Sequence, residues 1–277
     1  MGLNAGVLLR GLPAGARLKL PPSQVLHGEA MNRILALAYG LLSYLVFLAS
    51  FLYAIGFVGN LLVPKSIDSG VSGPPAIAFA ADVLLLGLFA VPHSVMARQW
   101  FKRRWTQIIP LAVERSTYVL VSSLLLGLLF WQWRPIPAVV WHFENPVGRW
   151  FIHAVFWVGW AIVLVSTFLI DHFDLFGLRQ VYLYASGRPY TPVGFRVPGF
   201  YRYVRHPIML GFIVAFWAAP MMTIGHLLFA AATTAYILIA LRIEERDLVG
   251  FHGERYQGYQ QQVRMLLPVP KPRNPSR

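Results

Sequence analysis

Long apolar stretches alternate with short segments that hold almost all of the charge. Six apolar runs stand out: Ile34–Val58, Ala76–Ala97, Thr117–Trp133, Trp150–Ile170, Pro207–Met221 and Thr223–Leu241. A bilayer core of roughly 30 Å takes about 20 apolar residues in a helix, so the first four predict transmembrane helices. The fifth is short. It joins the sixth through Ala219-Pro220-Met221-Met222 with no charge between them, which predicts a tight helical hairpin that need not cross the bilayer fully. The predicted fold class is all-α: a polytopic transmembrane helical bundle of five to six spans with a C-terminal helical hairpin. Residues 1–30 read as an extramembrane segment, 31–277 as a single transmembrane domain, and Pro268 to Arg277 as a disordered Pro-rich tail.

Composition agrees with this pattern. Hydrophobic residues make up 57% of the chain and charged residues only 13%, against about 25% charged in a soluble domain. The chain has no cysteine, which excludes disulfides, thiolate metal sites and a cysteine nucleophile. A net charge of +13 raises the question of nucleic acid, but the basic residues sit between apolar runs, where they orient a membrane protein instead. No compact apolar run with a small-residue cleavage site opens the chain, so no secretory signal peptide is read there. Gly6 stands where an N-myristoylation motif after Gly2 wants Ser or Thr.

With six spans and a cytoplasmic N-terminus, all of the 24 Lys and Arg except Lys65, Arg134 and Arg149 fall on the cytoplasmic side. That bias predicts the orientation, with both termini cytoplasmic. Trp131, Trp133, Trp141 and Trp150 gather at the opposite interface as an aromatic belt. The orientation puts His93 near the cytoplasmic end of the second run, Asp171 and His172 after the fourth, Arg205 and His206 before the fifth, and Glu244, Glu245, Arg246 and Asp247 after the sixth. Ionisable groups gathered at one membrane depth mark a candidate functional site. Asp82, inside the second run, needs a buried partner and is read as making a structural hydrogen bond.

The most informative stretch is Tyr201-Arg202-Tyr203-Val204-Arg205-His206-Pro207-Ile208-Met209-Leu210-Gly211. Pro207 suits a first helical turn, where its missing N–H has no partner to lose. A helix start flanked by Arg202 and Arg205 suits an anionic group, and Gly211 permits a close approach. The second element is Arg242-Ile243-Glu244-Glu245-Arg246-Asp247-Leu248, followed by Gly253-Glu254-Arg255-Tyr256 and Tyr259. Its glutamates can accept hydrogen bonds from hydroxyl or amino groups, or pair with arginines across the hairpin.

Arg-His-Pro-x-x-x-Gly, an apolar hairpin, Glu-Glu-Arg-Asp-Leu and Gly-x-x-Tyr-x-x-Tyr together resemble the isoprenylcysteine carboxyl methyltransferase-like superfamily of membrane methyltransferases, over about Tyr201 to Val263. The stretches Pro92-His93-Ser94-Val95-Met96-Ala97-Arg98, Glu114-Arg115-Ser116-Thr117-Tyr118, Asp171-His172-Phe173-Asp174-Leu175-Phe176-Gly177 and Arg196-Val197-Pro198-Gly199-Phe200 extend the likeness. With these included, the chain from Ile34 on is similar to the bacterial methanethiol S-methyltransferases.

The resemblance implies a bacterial inner-membrane enzyme that transfers a methyl group from S-adenosylmethionine to a small volatile thiol, with membrane lipid around it and no nucleic-acid partner. It also implies a cytoplasmic cofactor pocket within 201–263, formed by Tyr203, Arg205, His206, Pro207, Gly211, Glu244, Glu245 and Tyr256. The acceptor must reach its thiolate form to react. His93, Asp171 and His172 are the candidate bases, with Arg98 as the charge favouring thiolate. Asp171, His172 and Asp174 with His93 also make an alternative metal-binding set, although no metal is expected. Other readings remain at this point: a lipid or isoprenylcysteine methyltransferase, a nicotinamide-dependent reductase of related fold, or a non-catalytic membrane protein with a charged gate.

Overall fold

A computed structural model describes residues 22–269. Most of the expected N-terminal segment and Pro-rich tail, including Arg10, Arg17, Lys19, Lys271, Arg273 and Arg277, lies outside the described residues. In chain order the helices and strands are α1 (Pro22–Gly59), α2 (Pro75–Met96), α3 (Gln99–Trp105), α4 (Glu114–Gln132), β1 (Val139–His142), α5 (Pro146–Ile170), α6 (His172–Leu175), α7 (Leu178–Ala185), α8 (Pro207–Trp217), β2 (Met221–Thr223), α9 (Ile224–His252) and α10 (Glu254–Gln262). Among the described residues five helices are long and apolar enough to cross a bilayer: Ala30–Gly59 within α1, Pro75–Met96, Leu111–Gln132, Pro146–Ile170 and Ile224–His252. The protein is a nearly all-α membrane bundle.

Local chemistry sets where the helices begin. Pro75, Pro146 and Pro207 each open a helix, where a missing N–H costs nothing. The Asn145 side chain accepts from Val147 N–H and Gly148 N–H, and Thr223 accepts from His226 N–H, the usual role of a short polar N-cap. At the other end of α9, Gly253 has φ 57°, so the chain turns sharply into α10 at a residue with no side chain to strain. Asp82 is fully buried and accepts from the backbone N–H of Arg134 at 2.9 Å, the structural bond expected for it.

The fifth apolar run departs from the simple hairpin. Helix α8 has 11 residues, about 16 Å at 1.5 Å per residue, or half the bilayer core. The chain then bends at Pro220, and β2 pairs antiparallel with β1. The hairpin of α8 and α9 is present, but its link at Ala219–Met222 enters the short strand β2 in place of a tight helical turn. Pro220 cannot continue a helix, and backbone groups around it are satisfied across the pair: Phe143 N–H donates to Pro220 O at 2.9 Å and Ile224 N–H to Ala138 O at 2.8 Å.

Short α8 is held by α5 through backbone contact. A Cβ on Gly211 would lie 2.7 Å from Gly159 O and 2.9 Å from Val163 N, and one on Gly159 would lie 2.7 Å from Ala215 N. Small residues facing one another let two membrane helices touch along their backbones. Gly211→Val is expected to lower stability by about 1–3 kcal/mol through overpacking, read as a lower thermal midpoint in detergent. An unchanged midpoint would contradict this packing.

The aromatic core lies where α1 and α4 end and α5 and α9 begin. Phe57, Phe130, Trp133, Phe156, Trp160 and Phe229 are all buried there. Many of their rings meet edge to face, as Phe57 and Trp133 do at 6.0 Å, a favoured arrangement of aromatic quadrupoles. That end of the bundle is filled. The opposite end, which carries Arg98, Lys102, Arg115, Arg205 and Arg255, is polar.

Candidate active site at the basic end

The loop before α8 is pinned by the chain that follows α10. Val204 and Arg264 form an isolated parallel bridge. Arg205 N–H donates to Arg264 O at 3.0 Å and His206 N–H to Met265 O at 3.2 Å. This brings the Arg205 side chain to Glu245, with Nε to Oε1 at 2.6 Å, and His206 Nε2 to the same oxygen at 3.1 Å. Gln260 Nε2 donates to the other carboxylate oxygen at 3.1 Å. Arg205 also donates to Val263 O and, at 3.3 Å, to Gln260 O. Both oxygens of Glu245 are occupied, and Arg205 and His206 are buried. These residues form a closed polar clamp joining α8, α9, α10 and the returning chain.

Glu244 is different. Adjacent residues of a helix point about 100° apart, so Glu244 leaves α9 in another direction. It is half-buried, lies within electrostatic reach of Tyr118, Tyr201 and Tyr256, and has no hydrogen-bond or ion-pair partner among the described residues. Tyr256 is buried, and among the described residues its hydroxyl is unpaired, as is the buried Nε of Arg264. Burial, reinforced by Glu245 and opposed by Arg205, pushes the Tyr256 phenol above its ordinary range. Tyr259 donates to Tyr201 O; burial pushes its own phenol up to about 12, with Arg205 opposing and Glu245 adding. Buried polar atoms are nearly always satisfied, so the unpaired Tyr256 hydroxyl within electrostatic reach of Glu244 marks a candidate place for a polar ligand.

A second wall of the same end is built by α2, α4 and α9. His93 Nδ1 lies 3.1 Å from Ser122 Oγ, and its Nε2 lies 2.9 Å from Tyr118 Oη. The Arg115 guanidinium sits 5.7 Å from the centre of the Tyr118 ring. Ser94 Oγ and Tyr236 Oη are 2.9 Å apart, and Arg98 pairs with Asp247 at 2.7 Å. Lys102 meets Glu114 at 3.7 Å, and burial pulls its pKa below the ordinary lysine value. Glu244 links the two walls, because the tyrosines it influences stand on both.

The structure thus gathers His93 and Arg98 with Arg205, His206, Glu244, Glu245 and Tyr256. It does not gather the rest of the expected set. Tyr203 is 66% exposed, Pro207 begins α8, and Gly211 packs on α5. Asp171 and His172 occupy another corner. The His172 ring is filled on both nitrogens, by Tyr44 Oη at 2.8 Å and Thr167 Oγ1 at 2.8 Å, and stacks on Phe168 at 4.3 Å. Asp171 accepts from Asp174 N–H, and Asp174 pairs with Arg179 at 2.9 Å. The alternative metal set is therefore split: His93 and Asp171 lie on different contact surfaces, and among the described residues no three His, Asp or Glu converge as ligands.

Burial lowers the His172 pKa, with Asp171 opposing. Protons then bind the unfolded chain first, so stability at this corner is complete above the ordinary histidine range and falls as the pH drops through it. His172→Phe is expected to flatten that acid-side loss in thermal unfolding; an unaltered profile would place its origin elsewhere.

Tyr236 and Arg264 border this candidate site without having been singled out by the apolar pattern or the motifs, and Tyr118 closes a family-like stretch without having been given a role. Tyr118 lies one turn after Glu114-Arg115, a faint polar signal at the mouth of an apolar run.

A polytopic membrane bundle with unpaired polar atoms gathered at one end defines a membrane protein with a candidate polar site. The relatives identify which class. The chain is 58% identical over 240 residues to the methanethiol S-methyltransferase of Mycobacterium tuberculosis, covering 87% of this chain and 98% of that protein. It is 54% identical over 245 residues to that of Crocosphaera subtropica, covering 88% and 96%. A more distant likeness, 30% over 198 residues, reaches the Nurim homolog of Drosophila pseudoobscura pseudoobscura, covering 69% of this chain and 77% of that protein. No family model and no solved structure matches the chain. The chain belongs to the methanethiol S-methyltransferase family, and is a membrane methyltransferase.

Proposed function

We propose that this protein methylates methanethiol to dimethyl sulfide with S-adenosylmethionine as donor, in a bacterial inner membrane with its basic end facing the cytoplasm. The observation that carries this reading is the 54% to 58% identity, over 87% to 88% of the chain, with relatives of that name. The residue chemistry fits the donor: Glu244 offers a free carboxylate to hydroxyl or amino groups, and Tyr256 Oη and Arg264 Nε offer unpaired donors. Arg205, His206 and Glu245 hold that surface in shape, with Pro207 setting the helix start. Gly211 seats α8 against α5. When bound, the donor supplies an activated methyl group on a cationic sulfonium, which aromatic faces and carboxylates favour.

The protein must also take a proton from the thiol, since the thiolate is the nucleophile. His93 is the base this site offers, with Arg98 supplying positive charge nearby. Asp171 and His172 act as structural supports in this reading.

Tyr256→Phe removes an unpaired buried hydroxyl, so folding stability should hold or rise. Its apparent affinity for S-adenosylmethionine should fall about fivefold to tenfold, the worth of one neutral hydrogen bond. Unchanged affinity would remove Tyr256 from the donor site. The function itself is tested by giving membranes that contain the protein methyl-labelled S-adenosylmethionine and methanethiol. Labelled dimethyl sulfide in the headspace is expected; label in lipid instead would overturn the acceptor assignment.

A further inference from the structure

His93 has no free nitrogen. Ser122 Oγ occupies Nδ1 at 3.1 Å, and Tyr118 Oη lies 2.9 Å from Nε2 and 3.3 Å from Nδ1. Phe89 stacks on the ring with centroids 5.1 Å apart. A thiol therefore cannot reach the imidazole without displacing a hydroxyl. The two hydroxyls are not equivalent. Ser122 is buried. Tyr118 is half-buried as a residue and stands beside the charged groups: Arg115 lies over its ring, and Arg98, Glu244 and Tyr236 are within electrostatic reach. Asp247 stands behind Arg98, and Glu114 behind Lys102.

Resting on the reading above, we infer that Tyr118 is a catalytic residue: its hydroxyl takes the thiol proton and passes its own to His93 Nε2. The required tautomer has Nδ1–H donating to Ser122 Oγ, which leaves Nε2 as the acceptor for Tyr118 O–H. In one concerted step the thiol S–H bond breaks, its proton bonds to Tyr118 Oη, and the Tyr118 proton bonds to Nε2. No free phenolate forms, so the high intrinsic pKa of a phenol is no obstacle. The electron pair left on the thiol sulfur makes the new S–C bond, and the pair of the cleaved S–C bond stays with the departing sulfur, cancelling its positive charge. The imidazolium then returns its proton to solvent. Arg115 and Arg98 favour negative charge developing on the sulfur, while Glu244 remains free for the donor.

The test compares wild type, Tyr118→Phe and His93→Gln in detergent. General acid–base groups of this kind contribute about 10²- to 10⁴-fold. Tyr118→Phe should lower kcat by that much near pH 7, and the deficit should shrink about tenfold for each pH unit as methanethiol approaches its own ionisation. His93→Gln should show the same slope. Binding of labelled S-adenosylmethionine should stay within twofold in both. A readout independent of turnover is the ¹⁵N spectrum of His93 in the donor-free protein: the Nδ1–H tautomer in wild type, and a loss of the hydrogen-bonded Nε2 signature in Tyr118→Phe. Full activity in either variant, or a deficit equal at every pH, would overturn the relay. So would an Nε2–H tautomer in wild type, which needs no folded variant. Wild type that makes no dimethyl sulfide would instead reject the proposed function.

Discussion

Arg205→Met is expected to cost about 3–5 kcal/mol of stability, because it strands the buried Glu245 carboxylate without its cation. Methyl transfer should be lost with it. The Arg205 side chain is 7% exposed and that of Glu245 is 13% exposed, so water cannot replace the missing partner. The same change frees the carbonyls of Gln260 and Val263 and loosens the return chain that pins the start of α8. Adding Glu245→Gln should recover part of the stability, since no stranded charge remains, but not the activity. Thermal unfolding in detergent reads both. A single variant as stable as wild type would show that the clamp is not what holds this end together.

Glu244→Gln is expected to behave in the opposite way. Its carboxylate has no hydrogen-bond or ion-pair partner among the described residues, so folding should change little. Donor binding should weaken by about 1.5–3 kcal/mol, the worth of a hydrogen bond to a charged group, or roughly 10- to 150-fold in apparent affinity for S-adenosylmethionine. Two adjacent glutamates are thereby assigned separate tasks, one structural and one ligand-facing. Weakened stability with intact donor binding in Glu244→Gln would reverse the assignment.

That division was not readable from the chain. Glu244-Glu245 is one acidic pair in sequence, and only the helix rotation, together with the approach of Arg205 from 40 residues upstream, tells the two apart. The membrane bundle was legible, because a bilayer imposes a length and an apolarity that each span must meet. The gathering of His93 and Arg98 with the α9 charges followed from counting spans. The short strand β2 after α8 was hidden, since its pairing partner β1 lies far away in sequence. His172 was legible as a histidine at the right depth, yet depth does not give lateral position, and Tyr44 and Thr167 hold it in a corner of its own. Tyr118 stayed unassigned because its meaning depends on His93 across a helix interface.

The most direct test supplies purified protein with S-adenosylmethionine carrying a trideuterated methyl group and with unlabelled methanethiol, then analyses the headspace by mass spectrometry. Wild type should release dimethyl sulfide carrying one deuterated methyl, and Glu244→Gln should release far less at the same donor concentration while remaining folded. Deuterium in lipid or in no volatile product, or equal release by the two proteins at limiting donor, would contradict the account.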